Sequence, residues 1–288
     1  MAEVNKTTDS KPQQGGFNRS APNRGGPQGG GFNRGGPNRG GPQRGGPRRD
    51  RPQRVVEEKI WVPKTQLGKD VLAGKYTNLR DVIINGKQIM ESEITDYLVP
   101  DLGTELVNVG QAKGKFGGGR RKTSKATQKV TREGSRMSFS MITLSGDKNG
   151  VVGFGVGKSR ETVPSREKAI ANAKKNLIMI RRGCGDWGCF CGTAHSIPFA
   201  VEGREGSCIV RLMPAPKGTG LVIESELKKM LELAGIKDVW SKTFGQTKNK
   251  TNLIKAGFNA LKNLQTMKLN PLTVEGRGIK DGDKDEWR

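Results

Sequence analysis

Alternation of apolar and polar positions is clearest between Met137 and Val152. Met137, Phe139 and Met141 lie two apart, and Val151–Val152 resume beyond Gly146-Asp147-Lys148-Asn149-Gly150. The pattern predicts two strands joined by a glycine-bounded turn. A helical period follows, with Ala169, Ile170, Ala173, Leu177 and Ile178 on one face and Arg166, Lys168, Lys174 and Lys175 on the other. Pro164 suits a first helical turn, and Thr162 stands where a cap is expected. Upstream, Leu67–Val71 and Leu79–Ile84 suggest short helices. Downstream, Ile197–Val201 and Cys208–Met213 read as strands around Glu202-Gly203-Arg204-Glu205-Gly206, and Leu221–Ile223 as a third. Glu224-Ser225-Glu226 opens a helix whose apolar face is Leu227, Met230, Leu231, Leu233 and Ala234. Lys237–Phe244 is a further strand, and Thr251 or Asn252 caps a last helix with Leu253, Ile254, Gly257, Phe258, Leu261 and Leu264 inward. An α+β chain in two domains is expected.

The first 54 residues carry no such period. A pentapeptide recurs there, as in Pro37-Asn38-Arg39-Gly40-Gly41 and Pro42-Gln43-Arg44-Gly45-Gly46. With so little apolar material, ordering this stretch has no driving force, and a disordered Arg/Gly/Pro-rich tail is expected. Chain length changes the picture little: 288 residues suffice for two modest domains plus tails. Charge changes it more. A formal +23 far exceeds what solubility needs and points to a polyanion. There is no secretory pattern and no apolar run near ~18 residues, so no membrane association is expected. Four cysteines in a chain of this length do not suggest an extracellular disulfide scaffold, which makes a cytosolic location the expectation.

The cations cluster. Lys113-Gly114-Lys115 and Gly119-Arg120-Arg121-Lys122, followed by Lys125 and Lys129, form a flexible basic run that lets several charges approach phosphates together. Gly153-Phe154-Gly155-Val156-Gly157-Lys158 lacks the G-x-x-x-x-G-K-[ST] spacing of a phosphate loop. It reads better as a glycine-rich strand approached closely by another backbone, with Lys158 and Arg160 free to touch phosphate. Cys184, Cys189, Cys191 and His195 fall within twelve residues among glycines, and three thiolates with one imidazole satisfy a closed tetrahedral zinc site. The C-x4-C-x-C-x3-H spacing is not the common paired C-x-x-C arrangement, so one structural zinc and three free thiols in a β-hairpin both remain open. Neighbouring Arg181 and Arg182 would lower thiol pKa values and favour the ligating form. Cys208, in an alternating stretch, reads as a small core residue.

Several of these stretches also carry a resemblance. DKNGVVGFGVGKSRETVPSREKAIANAKKNL with the RRG that follows, Lys129–Arg136, RLMPAPKGTGL and LELAGIKDVWSKTFGQT resemble the universal small-subunit ribosomal protein family called S-five in bacteria and S-two in eukaryotes. WVPKTQLGKDVLAGKYTNLRDVI resembles the extension of its archaeal and eukaryotic members, and the cysteine stretch that of archaeal-type members. The resemblance implies an extension and basic insertion over 55–128 and a double-stranded-RNA-binding-like domain over 129–183. It further implies a Cys/His linker at 184–195 and a C-terminal α/β domain of the S-five type over 196–270; residues 271–288, polar and mixed in charge, are expected to form a loose tail. It implies a structural constituent of the small ribosomal subunit, not an enzyme, that binds rRNA near the decoding region and the path by which messenger RNA enters. Neighbours of the S-three, S-four and S-eight families follow, as does a cytoplasmic, ribosomal location. The cations set toward RNA are Arg120, Arg121, Lys122, Arg132, Arg136, Lys148, Lys158, Arg160, Arg166, Lys174, Lys175, Arg181, Arg182 and Lys217. The family's second domain is related in fold to small-molecule kinases, and Pro216–Leu221 faintly resembles their phosphate loop. Glu224 and Glu226 nearby read more simply as first-turn helix residues. A free RNA-binding regulator using the arginine–glycine tail is a third class.

Overall fold

The computed structural model describes residues 61–112, 119, 121–189, 191–268 and 270–281. The tail expected at 1–54, Arg120 and most of the basic run beside it lie outside the described residues.

Three short helices come first: α1 (Gln66–Leu72), α2 (Leu79–Ile84) and α3 (Ser92–Leu98). Helices of six or seven residues do not persist alone in water. These are held because Val71, Leu79, Val82 and Ile94 form one buried cluster with Val151 and Leu177. Glu91 fixes their entrance by accepting from Trp61 Nε1 at 2.9 Å and from the backbone N–H groups of Lys64 and Thr65. The extension thus docks on its own chain.

The first sheet is built on one long strand. β1 (Gly103–Leu106) and β2 (Ser124–Thr131) pair antiparallel with different halves of β3 (Gly134–Gly146). The insertion therefore leaves and rejoins the sheet between β1 and β2, where Ala112 bridges Arg121 and Gly110 N–H donates to Lys122 O. Residues 103–106 and 124–128, assigned above to the extension and insertion, belong to this sheet. β4 (Val151–Ser159) pairs on the other side of β3 across the expected turn. Asp147 Oδ1 accepts from Asn149 N and Val151 N in that turn.

α4 (Thr162–Lys175) lies on β4. Its N-cap is Glu161, so Thr162 is the first helical residue and not the cap. Leu177 and Ile178 do not continue its apolar face. They form β5 (Leu177–Met179), because the edge of β4 at Val151–Gly153 offers unpaired backbone groups and a buried position. The spacing of Gly153, Gly155 and Gly157 puts all three on the face under α4. A Cβ at Gly155 would lie 2.2 Å from Ala169 O and Ala173 N, and one at Gly157 2.2 Å from Ser165 O. The glycines serve backbone contact, as expected for a close-approach strand.

After β6 (Arg181–Arg182) the chain crosses to a four-stranded sheet of order β7-β8-β10-β9. β7 (Val201–Glu205) and β8 (Cys208–Pro214) are an antiparallel hairpin turning at Gly206-Ser207. Glu202–Glu205 are thus strand residues, not the turn read from their glycine and charges. Gly203 is small because α6 (Lys250–Thr266) lies on it: a Cβ would meet Ala256 O at 2.2 Å. β9 (Leu221–Val222), α5 (Ser225–Leu233) and β10 (Val239–Phe244) make a parallel crossover. Glu224 caps α5 by accepting from Glu226 N and Leu227 N. The N-cap of α6 is Asn249, upstream of the expected Thr251 or Asn252.

The apolar faces of α5 and α6 are buried as their periods predict. Ile142, Leu144, Val152 and Phe154 of the first sheet share one cluster with them and with Val210 and Leu212 of the second. The rings of Phe154 and Phe258, both members of this cluster, stand 5.7 Å apart centre to centre.

The segment after 270 was expected to be loose. Through Asp281 it is ordered: Asn270 caps α7 (Pro271–Gly276), and β11 (Lys280–Asp281) pairs with β6. Val274 and Ile279 are its buried anchors, while Leu272 stays exposed. Among the described residues no helix is long and apolar enough to cross a membrane.

Candidate metal cluster and nucleic-acid surface

The β2–β3 hairpin projects with neither face buried over most of its length. Register decides what it presents. Lys125 stands opposite Ser140, which stands opposite Lys158, and Lys129 stands opposite Arg136. Directly opposed residues point to one face, and residues two apart repeat it. Lys125, Lys129, Arg136 and Lys158 therefore share a face. Lys125 and Lys129, read from the sequence as part of a flexible basic run, owe this shared face to strand parity. Arg132 is exposed at the hairpin tip, and Arg136 pairs with Glu133 beside it. A cleft at the hairpin base is lined by Arg121, Lys122, Lys125, Lys248 and Lys250.

Lys148, Arg160, Arg166, Lys175 and Lys217 are exposed. Besides Arg136, three of the expected RNA contacts are engaged within the chain. Lys174 pairs with Asp96, while Thr95 Oγ1 donates to Lys174 O at 3.0 Å. Arg181 reaches Asp281 Oδ2 at 3.5 Å and Met267 O. Arg182 Nη1 donates to Lys148 O and Gly235 O. The two arginines are thus interdomain fasteners.

The cysteine stretch folds into a knuckle between the two sheets. One ligand atom each from Cys184, Cys189, Cys191 and His195 lies within 4.8 Å of the others. The C-x-C step, despite its short reach, brings both sulfurs into the group. Gly183 N donates to Ser196 O, and Gly183 O accepts from Ser196 N, which closes the knuckle's neck. Cys189 Sγ stands 3.7 Å from His195 Nε2. His195 and Cys184 are buried, whereas Cys189 and Cys191 are half-buried. Burial, with hydrogen bonding to the other two sulfurs, pushes the Cys184 thiol up to about 11. The Thr193 hydroxyl, 3.0 Å from Cys191 Sγ, and its backbone N–H bring Cys191 down to about 6. Thr193 favours the thiolate here. Three thiols and one imidazole at this separation can hold a metal ion. With Zn–S near ~2.3 Å, tetrahedral geometry asks for ligand separations of about 3.7 Å, within the spread observed.

A residue that sequence spacing could not supply completes the group. Asp238 is buried, 43 positions from His195, and its Oδ2 lies 2.8 Å from His195 Nδ1. Its Oδ1 accepts from Gly218 N at 3.1 Å and Gly220 N at 2.8 Å. These are the amides a phosphate loop would need free, so Pro216–Leu221 has no phosphate cradle. Glu224 caps α5 and pairs with Lys250, and Glu226 binds Asn108 and Lys229. Neither carboxylate is set for magnesium. Cys208 is fully buried, its Sγ donating to Gln246 O.

Comparison with known proteins agrees with this arrangement. Residues 123–181 match the family described as ribosomal protein S5, N-terminal domain, and residues 203–272 its C-terminal domain. The small ribosomal subunit protein uS5 of Nanoarchaeum equitans is 46% identical over 222 residues, 77% of this chain and 95% of that one. That of Methanobrevibacter smithii is 44% identical over 220 residues, 76% and 96% of the two chains. That of Staphylothermus marinus is 46% identical over 203 residues, 70% and 88%. Both family domains in order, and a likeness running through the extension and the knuckle to nearly the full length of the relatives, make this chain a member of the ribosomal protein S5 family.

Proposed function

We propose that this chain is a structural constituent of the small ribosomal subunit, working on cytoplasmic ribosomes, that grips rRNA near the decoding region and the path by which messenger RNA enters. The family is structural and not enzymatic. The observation that carries the RNA reading is the shared cationic face of Lys125, Lys129, Arg136 and Lys158 on a projecting hairpin. A-form RNA is held by its shape, phosphates and 2′-hydroxyls, which suits an exposed basic arm better than a base-reading cleft. Three antiparallel strands followed by α4 support the double-stranded-RNA-binding-like reading of the first domain. Arg121, Lys122, Arg132, Arg160, Arg166, Lys175 and Lys217 extend the basic surface, and Lys148 lies at its interdomain edge. Messenger RNA and neighbours of the S-three, S-four and S-eight families are the other partners in this reading.

Charge reversal of Arg132 and Arg136 tests it. The double variant keeps the wild-type denaturation midpoint, since exposed charges contribute little to stability, but is depleted from small subunits on sedimentation or lowers translational accuracy. Normal incorporation with unchanged accuracy removes this hairpin from the RNA contacts.

The knuckle is in the same reading a structural zinc site of Cys184, Cys189, Cys191 and His195. Such a linker has few apolar side chains to order it, so metal binding becomes folding energy. Elemental analysis of the purified, tag-free chain should give close to one zinc per chain, lost in Cys189→Ser.

A further inference from the structure

We infer that Asp238 is the positioning residue of this metal site, and that through it the metal sets the conformation of the Pro216–Gly220 loop. The inference rests on the zinc reading above and goes beyond it in naming a residue outside the knuckle and a consequence away from it.

The argument begins with His195. Its ring is 5% exposed, and Asp238 beside it is 4% exposed. A buried carboxylate is tolerated only with its lone pairs occupied. Asp238 meets that condition with three donors: His195 Nδ1 and the amides of Gly218 and Gly220. Donation from Nδ1 fixes the tautomer that leaves the Nε2 lone pair free, and Nε2 is the atom facing the thiols. This is the carboxylate–histidine arrangement that orients metal-bound imidazoles and raises their basicity. Backbone bonds tighten the link, because His195 O accepts from both Lys237 N and Asp238 N.

The second half of the inference follows from the other oxygen. Gly218 and Gly220 have φ values of +94° and +73°, which turn both amides toward Asp238 Oδ1. Glycine enters that region freely, so what holds the two amides convergent is the anion they share. Asp238 is that anion, and the metal-bound imidazole fixes Asp238. Lys217, exposed between the two ends of the loop, is thereby held in one presentation. The metal thus orders a cationic loop that donates no ligand to it.

Cobalt(II) loading of the full chain, with amide exchange measured before and after metal removal, tests this. The expected wild-type result is one cobalt per chain with thiolate-to-metal absorption. Stripping the metal should then speed exchange at Gly218 and Gly220 at least tenfold while α6 amides stay unchanged. Asp238→Asn should weaken cobalt binding by about 10- to 100-fold, with a tetrahedral spectrum still reached at saturation. Stoichiometric binding in the wild type, with Gly218 and Gly220 amides indifferent to the metal and Asp238→Asn binding as tightly, overturns the inference and leaves the zinc reading standing. No cobalt or zinc bound by the wild type overturns both. The wild-type exchange comparison decides the matter even if Asp238→Asn does not fold.

Discussion

α4 and α6 each lie across a sheet, yet they are held by opposite means. The buried residues of α4 are Ser165, Ala169 and Ala173, set against three strand glycines. α6 buries Leu253, Ile254, Phe258, Leu261 and Leu264 besides Ala256, Gly257 and Ala260. The first contact is backbone against backbone, fastened by Ser165 Oγ donating to Phe139 O and Gly157 O and by Asn172 and Asn176 amides donating to Val156 O and Phe154 O. The second is side-chain burial with one glycine, Gly203, in the same role as those of β4. The difference teaches where each layer is vulnerable. The α4 layer has no volume to give, and the α6 layer has no volume to lose.

Adding volume under α4 breaks the comparison hardest. Gly155→Val should cost about 4 kcal/mol or more, above the usual ~1–3 for overpacking, because backbone atoms and not side-chain tips must yield. Denaturant titration of the full chain measures it, and a cost under about 1 kcal/mol would show that α4 can lift freely from β4. Removing volume from α6 comes next. Leu261 is fully buried, so Leu261→Ala should cost about 3 kcal/mol, within the ~2–5 found for such cavities. If Ala169→Gly cost as much, the contrast between the layers would be lost.

The smallest effect sharpens the comparison at the polar tie between the regions. Glu226 accepts from Asn108 N and Asn108 Nδ2 and pairs with Lys229. Burial alone would raise its pKa, but the Lys229 ammonium and the Asn108 donors outweigh that and hold it below the usual carboxylate value. A lowered folded pKa adds stability above the unfolded value, ~4.3, that is lost as pH falls through the folded one. Glu226→Gln should therefore cost about 2 kcal/mol near neutrality, and the gap to wild type should close below about pH 4. A gap independent of pH would assign the loss to packing.

These layers also show what could be read in the residues alone. The faces of α5 and α6 were legible because burial by large side chains leaves a period. The glycines of β4 gave the right reading because no phosphate-loop spacing competed with it. Gly203 misled, since a glycine among charges looks like a turn unless the helix above it is known. Leu177 and Ile178 kept helical spacing and still became strand, the edge of β4 deciding what local pattern could not. The four residues of the knuckle were legible as a local cluster. Asp238 was not, because the chain brings it there through the β9–α5–β10 crossover, and no spacing rule spans that distance.

The pairing of β11 with β6 bears on how the chain is made. Asp281 meets Arg181 across 100 residues. A ribosome adding ~5–20 residues per second needs about 5–20 s to supply that partner after Arg181 is in the chain. During that interval the first sheet can be complete while the thiols of the knuckle lack their C-terminal cover, which includes the bond from Cys184 N to Arg277 O. The nascent knuckle is thus open before it is closed over, and the last strand works as a latch that synthesis itself delays.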